Sequence, residues 1–108
     1  MTTSSAAVVP DVPHPRRDEL DLAAVLHALS DPVRLEIVAG LADGDERACG
    51  SFDVGVTKST CTHHFRVLRE AGLIRQRQQG TMRLNSLRRD DLEARFPGLL
   101  GTILKVAA

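Results

Sequence analysis

Residues 57–71 read Thr-Lys-Ser-Thr-Cys-Thr-His-His-Phe-Arg-Val-Leu-Arg-Glu-Ala. On a helix, Cys61, Phe65 and Leu68 fall at i, i+4 and i+7 and share an inner face. Lys58, Ser59, Thr62, His63 and Arg66 then lie mostly on the other side, with no acid before Glu70. Donors and cations gathered in this way suit hydrogen bonding to base edges and charge pairing with phosphate. Lys58, Ser59, Thr60, Thr62 and His63 are the candidates for base-edge or nearby phosphate contact, and Arg66 for a phosphate. The plainer alternatives are a solvated helix face and a weak Arg66–Glu70 pair at i+4. Thr57 is placed to cap the helix, and the N–H groups beyond it are able to hold a phosphate.

A second group follows. Leu73 to Arg77 alternates as a strand, Gln78-Gln79-Gly80 can turn, and Thr81 to Leu87 alternates again. This predicts a β-hairpin with a basic, glutamine-rich tip, whose nucleic-acid candidates are Arg77, Gln78, Gln79, Thr81 and Arg83. The charge distribution agrees. The 108 residues have zero net charge, yet residues 1–54 carry −6 and residues 55–89 carry +7. A stretch that basic suits a polyanion, because each cation set on a phosphate releases a counterion. Internal pairing of an acidic half with a basic half explains the same numbers equally well.

These residues need elements to hold them. Residues 1–17 contain three of the five prolines and read as a flexible arm. Asp18 is the expected cap of a first helix, on which Leu22, Val25, Leu26 and Leu29 form an apolar stripe. Asp31-Pro32 opens a second helix burying Val33, Ile37, Val38 and Leu41, and a short third helix is expected over Glu46 to Asp53. The last segment is helical from about Asp90, with Leu92, Phe96, Leu99, Leu100, Ile103 and Leu104 on a broad apolar face. Pro97 predicts a kink or restart within it. The result is mainly α with a small β-hairpin, in the order α-α-α-α-β-β-α. That is the layout of a winged helix-turn-helix, with a recognition helix at 57–71 and a wing at 73–87 inside a domain spanning 18–108. A lone domain of this size cannot cover both the Leu22/Val25/Leu29 stripe and the Leu92–Val106 face. Segments 18–30 and 90–106 are therefore expected to form a dimer interface.

At this point the residues resemble a family. Leu29-Ser30-Asp31-Pro32-Val33-Arg34-Leu35-Glu36-Ile37 is similar to the L-x-D-P-x-R-L-x-I opening of the ArsR/SmtB-type bacterial repressors. Lys58 to Ile74 is similar to their recognition helix, S-T-V-S-x-H-L-x-x-L-x-x-A-G-L-V. The resemblance runs from about residue 20 to 105. It implies a homodimeric regulator on palindromic double-stranded DNA, controlled by a metal ion or a redox signal. Neither of the family's two usual metal sites is complete in this sequence. The thiolate site needs Cys-x-Cys where Glu46-Arg47-Ala48-Cys49-Gly50 stands. The interface site needs histidines in the last helix, and none follows His64. No metal site is assigned, and the cofactor is unknown. His14 and His27 are weak candidate ligands, more simply read as a solvated and a packing residue. Cys49 and Cys61 allow a disulfide, against the plainer reading of a buried, inert Cys61 thiol. A signal through a co-regulator protein is a further option.

The sequence argues against an enzyme. It has no glycine-rich phosphate loop, no paired carboxylates in an evident cleft and no Ser/His/Asp arrangement. Cys61 and His64, at i and i+3 with Cys61 facing the core, leave no room for a substrate. The alternative to a regulator is a winged-helix module that binds protein without DNA sequence specificity. The longest apolar run is five residues, so no membrane contact is expected. The N-terminus lacks a signal-peptide pattern, and a cytoplasmic location is expected.

Overall fold

Asp21, three residues later than expected, caps the first helix. Its carboxylate accepts from Ala24 N at 3.0 Å and α1 runs Leu22–Ala28. Asp18 instead belongs to a 3-10 turn at Arg17–Glu19, closed by Glu19 reaching back to Arg16 N. Leu20, between the two, is buried and could not be replaced by a polar cap. The computed structural model describes residues 12–52 and 55–107, so most of the arm, residues 1–11, lies outside the described residues.

Helix α2 (Pro32–Gly40) opens as the sequence predicts: Asp31 accepts from Val33 N and Arg34 N, and Pro32 takes the first helical position. Over the described residues 46–52, the short helix expected for 46–53 is reduced to a 3-10 turn. Arg47–Ala48 is a two-residue strand, β1, followed by a 3-10 turn at Cys49–Ser51. The strand wins because a partner is waiting: Arg47 and Ala48 pair with Asn85 and Leu84, and Asn85 Nδ2 donates to Arg47 O at 3.1 Å.

Helix α3 (Lys58–Glu70) is followed at once by the hairpin of β2 (Ile74–Gln79) and β3 (Met82–Leu87). Gly72 makes that sharp exit possible. Its φ is +88°, and an added Cβ would collide with Leu20 Cδ2. The sheet is antiparallel, ordered β1-β3-β2. The hairpin turn sits at Gly80-Thr81, between the paired Gln79 and Met82, so Gln78 and Gln79 are strand residues and not the turn itself.

The final segment divides where Pro97 predicts, into α4 (Arg89–Arg95) and α5 (Leu99–Ala107). Glu93 Oε2 accepts from Gly98 N at 3.2 Å and holds the break. One core joins these elements. Leu20, Val25, Ile37, Val38, Leu41, Phe65, Leu68, Leu73, Ile74, Leu92 and Leu100 are all buried in it. Each large aliphatic side chain so placed is worth roughly 1.5–3 kcal/mol, and the core therefore fixes how α3 and the hairpin are presented.

Val25, Leu92 and Leu100, expected at a dimer interface, lie inside this single-chain core at 1%, 2% and 3% exposure; Leu29, at 6%, belongs to the core and also edges an open apolar groove with Leu26, Leu35, Ile103 and Val106. Phe96, Leu99, Ile103 and Leu104 are partly buried against the same core. Leu22 and Leu26 remain exposed.

Candidate nucleic-acid interface

Helix α3 begins with a hydroxyl cluster. Thr57 Oγ1 accepts from Thr60 N at 3.3 Å and donates to Thr60 Oγ1 at 2.9 Å. Thr62 Oγ1 donates back to Lys58 O at 3.0 Å. The hydroxyls of Thr60 and Thr62 are thus engaged locally, while those side chains stay exposed. Lys58, Ser59, His63 and Arg66 are also exposed. The Arg66–Glu70 pair does not form; Glu70 instead lies 3.7 Å from Arg69 Nη2. Among the described residues Lys58, Arg66 and Arg83 have no carboxylate partner.

The inner face of α3 is anchored at two levels. Phe65 and Leu68 are buried, and Phe65 meets Phe52 edge-on at 5.5 Å. His64 is buried at the edge of the core, with Nδ1 3.1 Å from Arg34 Nη1. Arg34 Nε donates to Ala28 O, so one buried guanidinium ties α1 to α3. Cys61 is half-buried, less enclosed than an inward position implies. Burial pushes its thiol up, and the neighbouring Cys49 adds to the shift. Both cysteines are free thiols.

The hairpin joins α3 through a polar network that the sequence did not reveal. Arg69 Nη1 donates to Gln76 Oε1 at 3.1 Å, and Gln76 Nε2 donates to Asn85 Oδ1 at 2.7 Å. Asn85 Nδ2 also reaches Cys49 Sγ at 3.3 Å. Asn85 is fully buried and Gln76 nearly so. The only local hint was that Gln76 and Asn85 fall opposite each other in the hairpin. Arg69 and Arg88, two of the eight cations in the basic stretch, are buried and lie on neither the exposed face of α3 nor the tip of the hairpin.

All the wing candidates, Arg77, Gln78, Gln79, Thr81 and Arg83, are exposed. They differ in freedom. Arg77 makes a two-pronged contact to Glu46, with Nε–Oε2 and Nη2–Oε1 both at 2.7 Å. The Arg77 guanidinium holds the Glu46 carboxyl below the usual carboxylate range. Gln78 Nε2 donates to Gly80 O and stiffens the turn. Glu46 is the one acid of residues 12–52 that pairs with the basic stretch, so among the described residues the two halves of the chain do not neutralise each other.

His14 does not sit on a free arm: its Nε2 accepts from Gln76 N at 2.9 Å, on the edge of β2. His27 is exposed on α1. No three His, Cys, Asp or Glu side chains gather into a metal-ligand group among the described residues. Nor is any described helix long and apolar enough to cross a membrane.

Comparison with known proteins gives a consistent picture. A helix-turn-helix domain model matches residues 29–77. A Bacillus subtilis (strain 168) protein, the uncharacterized HTH-type transcriptional regulator YceK, is 38% identical over 91 residues, spanning 80% of this chain and 89% of the relative. The crystal structure of Mycobacterium tuberculosis Rv0081 has a TM-score of 0.62 at 31% identity, over 78% of this chain and 82% of that one. The solution structure of Mb0332 from Mycobacterium bovis has a TM-score of 0.65 at 28% identity, over 80% of this chain and 77% of that one. Mb0332 is described as a homodimeric winged helix-turn-helix DNA-binding domain of a possible ArsR-family regulator.

Proposed function

We propose that this chain, which belongs to the helix-turn-helix transcriptional regulators, is a regulator of the ArsR type and reads a palindromic operator in duplex DNA as a homodimer. One observation carries the reading. The outer face of α3 keeps Lys58, Ser59, His63 and Arg66 exposed, and its two cations have no carboxylate partner among the described residues. A capped helix with open donors near its N-terminus is what major-groove readout uses. Ser59, His63 and the hydroxyls of Thr60 and Thr62 meet base edges, while Lys58 and Arg66 meet flanking phosphates. The wing, with Arg83 and the Gln78–Thr81 turn, tracks the backbone beside it. Residues 57–71 and 73–87 are the DNA-reading parts of the 18–108 domain.

The second copy has a place to sit. Leu26, Leu35, Ile103 and Val106 line an apolar groove between α1 and α5, with Leu26 at 45% and Val106 at 80% exposure. Leu22, one helical turn before Leu26 on α1, is also exposed, and Phe96 and Leu104 are partly buried against the core. A two-fold pairing there would cover this patch and set two recognition helices about 34 Å apart, one DNA turn.

The deciding experiment is selection of bound duplexes from a random pool. The expected product is an inverted repeat with half-sites one turn apart, bound with a steep salt dependence. His63→Ala is expected to change the preferred sequence; an equal loss on every duplex would remove its base-reading role. Leu26→Glu is expected to yield a monomer by sedimentation and to lose the palindrome. Salt-insensitive binding with no enriched sequence would replace the regulator by a protein-binding winged-helix module.

A further inference from the structure

We propose that the base of the hairpin, where Arg17, Arg75 and Arg88 converge on the single carboxylate of Asp91, binds a small oxyanion of the phosphate class carrying at least two negative charges. Arg17 Nε lies 2.8 Å from Asp91 Oδ1. Arg88 Nε lies 2.9 Å, and Arg75 Nη2 3.6 Å, from Oδ2 of the same group. Three guanidiniums thus face one carboxylate and leave an excess of two positive charges. Arg88 is not a surface group: its side chain is 4% exposed, and its Nη1 donates to Pro15 O at 2.7 Å. A buried cation in an under-neutralised setting attracts any anion that can reach it.

Access exists on both sides. A cavity of about 370 Å³ bounded by Ser86, Arg89 and Asp90 adjoins one of about 470 Å³ bounded by His14 and Gln76. Arg17, Arg75, Arg88 and Asp91 form the wall common to the two. Each guanidinium carries about five N–H donors in a planar fork suited to phosphate. The contacts to Asp91 and Pro15 occupy only a few of them. The neighbouring cations do not change the count. Arg16 is paired with Asp18 and Glu19, Arg77 with Glu46, and Asp90 stands beside Arg89.

The place is distinct from the proposed DNA-reading tip. In the register of the hairpin, Arg75 opposes Ser86 while Gln79 opposes Met82, four residues on, which is about 13 Å along the strand. An anion here would touch the segment before α1, the start of β2 and the start of α4 together. It would therefore be sensed by the elements that carry the wing. Nothing in this assignment depends on whether the chain reads DNA.

The test uses the full chain and inorganic phosphate, with chloride at matched ionic strength and pH as the reference, read by titration calorimetry and thermal shift. The expected result is saturable phosphate binding that chloride does not reproduce. Arg17→Gln with Arg75→Gln is expected to weaken it at least tenfold, while Arg83→Gln leaves it unchanged. Both replaced side chains are more than half exposed, so the variant keeps its fold. Phosphate acting no better than chloride overturns the proposal, as does unchanged binding in the double variant. If the double variant loses duplex affinity with a drop of about two in the salt slope, the cluster is a DNA-backbone contact and the small-anion site is overturned. A phosphate ester binding at least about tenfold more tightly than inorganic phosphate makes the ester the source; inorganic phosphate binding as tightly as the ester, or more tightly, identifies the free ion.

Discussion

The hairpin carries arginine at both ends, and the two ends are built differently. At the tip, Arg83 is exposed without a carboxylate partner among the described residues, and Gln78 opposes it across the hairpin. At the base, Arg88 and Arg69 are buried, one on Asp91 and Pro15, the other on Gln76. Arg77 lies between, exposed but held by Glu46. Residue type is the same throughout; what differs is how far the chain itself engages each guanidinium. A cation already satisfied internally positions the hairpin, and a cation left open is available to a partner.

Removing the buried network is expected to have the largest effect. Asn85→Ala strips hydrogen bonds to Gln76, Arg47 and Cys49 from a fully buried site. A loss of about 2–3 kcal/mol in urea unfolding is expected. If Arg83→Ala destabilises as much, the distinction between base and tip disappears.

At the tip the effect moves from stability to binding. Arg83→Ala is expected to unfold within about 0.5 kcal/mol of wild type. It should also weaken binding to every duplex alike and lower the salt slope by about one. A shift in sequence preference would instead make Arg83 a base reader.

The intermediate case sharpens the comparison. Glu46→Gln removes the Glu46 charge that faces Arg77, and duplex affinity is expected to rise about two- to fivefold at low salt. Unchanged affinity would show that Arg77 faces no phosphate.

The smallest effect is a pH dependence at the base. The Arg17 hydrogen bond, joined by that of Arg88, holds the Asp91 carboxyl below its ordinary range. The folded state therefore releases this proton more readily than the unfolded one. The resulting stability is complete above the ordinary carboxylate value and is lost as pH falls through the depressed folded value. Asp91→Asn should lower stability at neutral pH and flatten the acid limb of the stability curve; an unchanged limb would place the acid sensitivity elsewhere.

Much of this was legible because the elements are strongly periodic. The stripe of α1, the Asp31-Pro32 start of α2, the cap at Thr57 and the break at Pro97 are local signals, and the structure keeps each of them. Residues 46–53 were misread because a two-residue strand has no period of its own; it exists through its pairing with Asn85 and Leu84. The dimer stripe was read too broadly for a related reason. Periodicity finds an apolar face but does not say whether the chain's own core or a second copy covers it, and Val25, Leu29, Leu92 and Leu100 went to the core.

By itself, then, the sequence determined the order of the longer helices and the hairpin, the polar outer face of the 57–71 helix and the concentration of cations over 55–89. Spacing and composition are local properties, and a helix turns them into a face without outside help. Only the tertiary structure decided which arginines stay open, that Glu46 holds Arg77, and that residues 14–17 lie against the hairpin base. Those outcomes depend on contacts between residues as many as 74 positions apart, such as Arg17 and Asp91, and packing alone brings them together.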